Sequence, residues 1–209
     1  YNARQIAIRS SGGSWASPIA VFQDGMREYS SNVTAARTHD GRVAMVEERH
    51  YWGPGYDGEN SSLFLSFVDP MSGTATTPTQ IPVVDSVLPR FLSWTSVRVF
   101  ADSASDRLSV LYVRRAPMGY FEVASIDRMT DGSWTTPQPL FRAIGATIQF
   151  GLYDVYRGPG ASLIAVYEDS SMNVRVRRRT SFNAPWGAAT STGFSTHYGR
   201  VAAGYLGKS

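Results

Sequence analysis

Four stretches of this sequence gather residue types that grip a sugar. "HYWGPGYDGEN" (50–60) sets Tyr51, Trp52 and Tyr56 beside Asp57 in a run rich in Gly and Pro. Aromatic faces stack on the apolar C–H patches of a sugar ring while a carboxylate takes its hydroxyls. The competing use of such rings is to fold back and pack a long loop. "LPRFLSW" (88–94) holds Arg90 and Trp94, "RRAPMGYFE" (114–122) holds Arg115 and Tyr120, and "YDVYRG" (153–158) holds Tyr153 and Arg157. Arginines that converge can clamp a carboxylate through two parallel hydrogen bonds. Ordinary ion pairs with Glu47, Glu48, Asp154 and Glu168 would occupy them equally well.

Other chemistries find less support. The 209 residues include no Cys, which removes disulfides, thiolate metal sites and Cys nucleophiles. The three histidines, His39, His50 and His197, show no metal-ligand spacing, and no phosphate loop or G-x-S-x-G turn is present. No metal and no cofactor is therefore expected. The formal charge is +3, and every basic residue but Lys208 is Arg. The one dense cluster is "VRVRRRT" (174–180), where alternation along a strand puts Arg175, Arg177 and Arg179 on one face. The reading is a solvated outer strand whose charges deter edge pairing. A nucleic-acid stripe needs more cations with aromatics interleaved, so no nucleic acid is expected. No apolar run reaches the roughly 18 residues of a membrane span. The opening "YNARQIAIRS" has neither an initiator Met nor a signal peptide's apolar core, as expected of a processed or trimmed chain.

The elements that would position these residues show in an internal repeat. Trp15 sits in "SGGSWASP", Trp134 in "TDGSWTTP" and Trp186 in "FNAPWGAA". "MSGTATTP" lies between the first two, with Ala75 in the Trp slot and Pro78 in the Pro slot, so the intervals are 60, 59 and 52 residues. Each period reads as four short strands, A to D. In the unit 31–84 these are "NVTAART", a "DG" turn, "RVAMVEE", a long loop, "LFLSFVD", a "PMSG" turn and "TTPTQIPVV". Hydrophobic residues make up 43% and aromatics 12%, with 19 Gly and 11 Pro, and no stretch keeps a capped helical period. The expected fold is all-β: a β-propeller of four-stranded antiparallel blades in one domain, 1–209. Its parts are a part blade at 1–22, blades at 31–84, 92–142 and 148–192, and a part blade at 195–209. Three whole and two part blades close a four-blade ring, belong to a larger propeller, or are completed by a partner chain or second copy.

The Trp turn, with Asp131, Gly132 and Trp134 in "TDGSW", resembles the Asp-box or BNR repeat of sialidase-like propellers. "SGGSW" lacks the Asp, and "NAPW" keeps only the Trp. "VRVFADSASDRLSVLYVRR" and "IAVYEDSSMNVRVRRRT" are similar, more weakly, to fucose-lectin propellers. These resemblances imply that Trp15, Asp131, Gly132, Trp134 and Trp186 are structural, at the rim between strands C and D. They also imply that ligands bind on the face carrying the B–C and D–A loops. A sialidase would add an Arg triad, a Tyr nucleophile paired with Glu, and an acid Asp. Arg90, Arg115, Arg157, Tyr153 and Glu168 are candidate pieces, but the Arg-Ile-Pro signature is absent, so no catalytic residue is assigned. The first expectation is a non-catalytic module, extracellular or on a virion, that recognises carbohydrate or a cell surface. A sialidase-like glycoside hydrolase and a structural part of a larger assembly are the alternatives.

Overall fold

A computed structural model describes residues 3–7, 9, 13–23, 28–51, 61–83, 97–115, 121–143, 153–169 and 171–195. These form fifteen strands and no helix. The first sheet pairs β1 (Ala3–Ile6) with β2 (Ile19–Gln23). The second runs β3 (Glu28–Arg37), β4 (Val43–Tyr51), β5 (Ser61–Asp69), and its far edge is two short pieces on β5, β6 (Thr74–Ala75) and β7 (Thr79–Gln80). The third runs β8 (Arg98–Ala101), β9 (Leu108–Arg115), β10 (Phe121–Arg128), β11 (Gln138–Ala143). The fourth runs β12 (Tyr153–Arg157), β13 (Leu163–Glu168), β14 (Asn173–Arg179), β15 (Thr190–Ser195). Every pairing is antiparallel and, apart from that of β7 with β5, joins strands successive in the chain, as hairpin units require.

Alternation decides what each face meets. On β13, Leu163, Ala165 and Tyr167 are buried while Ile164, Val166 and Glu168 are half-buried. The buried set joins Leu111, Val113, Val123, Leu140 and Phe141 of the third sheet in one core. A second core joins Ala44, Val46, Leu63 and Leu65 to Val99, Val110, Tyr112 and Ile126, between the second and third sheets. A third joins Ile19 to Met45 and Val68, between the first and second. Each sheet thus packs against the next along the chain. The first strands of neighbouring sheets also touch, where Val99 N–H donates to Thr34 Oγ1 over 3.4 Å. Val33 on β3, on the face of Met45, is exposed.

The turns follow from side chains. Asp40, Asp69, Asp102, Asp131 and Asp169 each accept, through Oδ1, the backbone N–H two residues on. This Asx-turn closes a bend without help from the rest of the fold. In two of the Trp-slot turns the next residue is a threonine that accepts the N–H of the facing strand: Thr76 from Phe67, Thr135 from Asp127.

The cluster on β14 differs from its sequence reading. β14 has β13 and β15 on either side, so it is not an edge. Arg179 is fully buried, with Nη1 and Nη2 on the two oxygens of Asp127 at 2.8 and 2.9 Å and Nη2 on Ser109 Oγ at 2.7 Å. Arg177 donates to the carbonyls of Leu140, Trp186 and Gly187. Arg175 pairs with Asp169 at 2.6 Å. A carboxylate and carbonyls on the facing sheet and loops draw these guanidinium groups inward, against the pull of water.

Candidate functional site

One end of the stacked sheets, where the first strand of each begins, gathers polar groups from three sheets. Register relates Thr34, Arg98 and Asp154: each faces the fourth residue of its neighbouring strand, Val46, Leu111 and Val166. Arg98 shares a strand with Val99, whose side chain points to the second sheet, so alternation turns Arg98 toward the fourth. It is half-buried, and among the described residues it has no hydrogen-bond or ion-pair partner. Its positive charge bears on the phenol of Tyr153, as do the negative charges of Asp154 and Glu48. Burial dominates at that phenol and pushes its ionisation well above the usual tyrosine range. Phe141 meets the Tyr153 ring edge-on at 5.7 Å.

Carboxylates on the second and third sheets near this end are buried. Glu48 accepts from Asn32 Nδ2 at 2.8 Å. Glu47 holds Arg49 through Nε at 3.1 Å and Nη2 at 2.5 Å, and Arg49 lies over the Phe64 ring. Arg114 and Glu122 form a further pair at 2.5 Å on β9 and β10. The cluster can therefore offer an incoming group the Arg98 guanidinium, with the charge of the buried Glu48 carboxylate felt at the same Tyr153 phenol. Its stock suits recognition of hydroxyl and carboxylate groups.

The residues singled out in the sequence are distributed unevenly. Tyr51 ends β4 and Arg115 ends β9, which puts their backbones at this end. Trp52, Tyr56, Asp57, Arg90, Trp94 and Tyr120 lie outside the described residues, as do the side chains of Tyr51 and Arg115. Tyr153 is in the cluster. Arg157 is not: it closes β12 at the opposite end, giving Nη1 to Ala101 O at 3.0 Å, Nη2 to Ser103 Oγ at 2.7 Å and Nε to Gly160 O at 3.2 Å. It straps the fourth sheet to the turn after β8. Arg98 went unnoticed in the sequence, where it reads as one more Arg in a strand.

The Trp-slot residues sit at that opposite end: Trp134 and Trp186 in the turns between the third and fourth strands of their sheets, Trp15 between β1 and β2. Trp186 is buried and donates Nε1–H to Ser125 Oγ of the third sheet at 3.0 Å. Trp134 packs on the core shared with the second sheet. Trp15, in the first sheet, is 66% exposed. Gly13 and Gly132 hold left-handed backbone at φ +99° and +87°, which lets Arg9 and Arg128 approach beneath them. Asp131 accepts from Ser133 N–H and from its hydroxyl. At this end His39, Asp40 and Asp106 also bring ligand atoms within 4.8 Å of one another. Asp40 is already held by Thr38 and Arg42, and His39 Nδ1 by Asp106 at 2.9 Å.

No protein-family model and no curated protein matches this sequence. Solved structures do. A protein of unknown function from Dyadobacter fermentans DSM 18053 superposes with a TM-score of 0.60 at 12% identity over 92% of this chain and 59% of its own. The Hadza microbial sialidase Hz136 superposes with a TM-score of 0.59 at 12% identity over 87% of this chain and 39% of its own. The likeness is one of fold: all-β, built of antiparallel four-stranded sheets. This chain spans little more than half the length of the first and well under half of the second.

Proposed function

We propose that this chain is a non-catalytic recognition module whose sheets stand as blades about a propeller axis. On this reading it binds carbohydrate or a glycan-bearing surface at the Arg98 end. The observation that carries this is Arg98: a half-buried cation with no hydrogen-bond or ion-pair partner among the described residues, next to the buried phenol of Tyr153. β4 ends at this end with Tyr51, and Trp52, Tyr56 and Asp57, which follow it in the sequence, would supply the stacking faces. Blade order is supported by the serial packing of each sheet on the next and by the contact between β3 and β8. The rim turns then serve as degenerate Asp-box hairpins. A glycan array probed with wild type, Trp52→Ala and Arg98→Ala tests the reading. Binding to a glycan class by the wild type, lost in Arg98→Ala, is expected; no binding by the wild type ends it.

A second reading, sialidase-like glycoside hydrolysis, is favoured by one observation: Tyr153 feels both Glu48 and Arg98, residue types that a Tyr nucleophile needs. Its raised phenol pKa weighs against it, because an unionised phenol is a poor nucleophile. Release of fluorophore from sialosides at high protein concentration, abolished by Tyr153→Phe, would establish this reading in place of the first.

A further inference from the structure

The rim holds a cavity, remote from the Arg98 cluster, between the second and third sheets. It measures about 260 Å3 and lies beside the break between β6 and β7. Thr76, Thr77 and Thr79 line it from the second sheet, together with Phe67; Arg128 and Trp134 line it from the third.

Arg128 and Arg179 occupy one register position. Each faces the first residue of its sheet's second strand, Leu108 and Leu163. Arg179 spends its donors on Asp127 and Ser109 of the preceding sheet. In the sheet that precedes Arg128, the counterpart of Asp127 is Phe67, since each donates its N–H to a rim threonine. The counterpart of Ser109 is Ala44, since the pairs are Ser109 with Asp127 and Ala44 with Phe67. Arg128 therefore meets a ring and a methyl group where Arg179 meets a carboxylate and a hydroxyl. Its Cζ lies 5.3 Å from the Phe67 ring centroid, and among the described residues its N–H groups have no acceptor. A half-buried guanidinium in this state lacks the partner its geometry is shaped for.

We propose that the rim cavity binds a sugar acid, with Arg128 taking the ligand carboxylate in the position that Asp127 fills for Arg179. The Trp134 indole offers a face for the C–H side of the ring. The hydroxyls fit the same ligand: Thr76 accepts from Phe67 N–H and keeps its own proton to donate, and Thr77 and Thr79 are exposed. Arg42, over the same Phe67 ring at 4.7 Å, adds positive charge while its Nε stays with Asp40.

The test is a titration of the full chain with D-glucuronate, with D-glucose as the uncharged match, read at the Trp134 indole N–H and the Arg128 Nε–H. Saturable shifts with glucuronate and none with glucose are expected. Arg128→Gln should weaken binding by about tenfold or more. Phe67→Asp, which installs the missing carboxylate, should abolish it while shifting the Arg128 signal as an internal pair forms. Thr77→Val, at an exposed position, gives a weaker loss that cannot be ascribed to unfolding. No saturable shift with glucuronate, an equal shift with glucose, or undiminished binding in Phe67→Asp overturns the proposal. None of these outcomes bears on the Arg98 end, so the two readings fail separately.

Discussion

Trp15, Trp134 and Trp186 fill one slot in three turns and meet three surroundings, so their worth should differ. Trp186 is enclosed by the third sheet and hydrogen-bonded to Ser125, and Trp134 is half-buried on the second sheet. Trp15 is mostly in water. Trp186→Ala is expected to cost about 3–5 kcal/mol, Trp134→Ala less, and Trp15→Ala within about 0.5 kcal/mol of zero. Urea denaturation of the three variants checks the order; equal losses would mean that the shared turn, and not the neighbouring sheet, sets their value. This distinction was invisible in the sequence. The three Trp motifs look alike there, and what differs is the sheet that stands against each.

At the scale of elements, two devices hold the sheets. One is the buried pair Arg179–Asp127, which ties β14 to β10. Removing one partner strands a charge away from water, so Asp127→Ala should destabilise by about 3–5 kcal/mol. The double change to Leu at both positions should recover most of that loss. Thermal denaturation of the single and double variants checks this. The other device is the set of Asp turns. The Thr38 hydroxyl, with Arg42, holds Asp40 down to about 2 from an ordinary 3.8. The Met71 N–H lowers Asp69, and the Ser133 hydroxyl lowers Asp131. At Asp102 and Asp169 burial pulls upward and is outweighed, by Ser105 with Ala104 and by Arg175 with Asn173. A carboxyl with a folded-state pKa below its unfolded value stabilises the fold above the unfolded value. That contribution disappears as pH falls through the folded value. Stability should therefore be flat above about pH 5 and drop from about pH 4 toward 2, with Asp40→Asn flattening part of the drop. Denaturation midpoints across that range measure it, and an acid limb that Asp40→Asn leaves unaltered would contradict it. The "DG" at 40–41 announced its hairpin in the sequence because Asx and Gly turns are local. The Arg179 pair did not, because its carboxylate comes from 52 residues away.

For the whole molecule, strand order and the four-strand unit were legible, since alternation and turn residues are short-range signals that repeat. The site was only partly so. Tyr153 and Arg157 stand four residues apart, which in the sequence suggests one channel; an extended strand carries them to opposite ends, one to the polar cluster and one to a turn carbonyl. Arg98 emerged only when register set it level with Asp154 and charge linked it to Tyr153. The basic run on β14 read as solvated because its acceptors belong to a facing sheet and to loops elsewhere in the chain. Function in this account follows from which arginines have donors left over. Arg157, Arg177 and Arg179 are spent on the fold, and among the described residues Arg98 is not.

That contrast can be measured within a single sample. Arginine side-chain 15N–1H spectra of the full chain, recorded while a pool of released cell-surface glycans is added, report Arg98, Arg157 and Arg179 together. The account predicts a saturable shift of the Arg98 Nε–H with Arg157 and Arg179 unmoved. An Arg98 signal that stays put, or an Arg157 signal that moves as far, would contradict it.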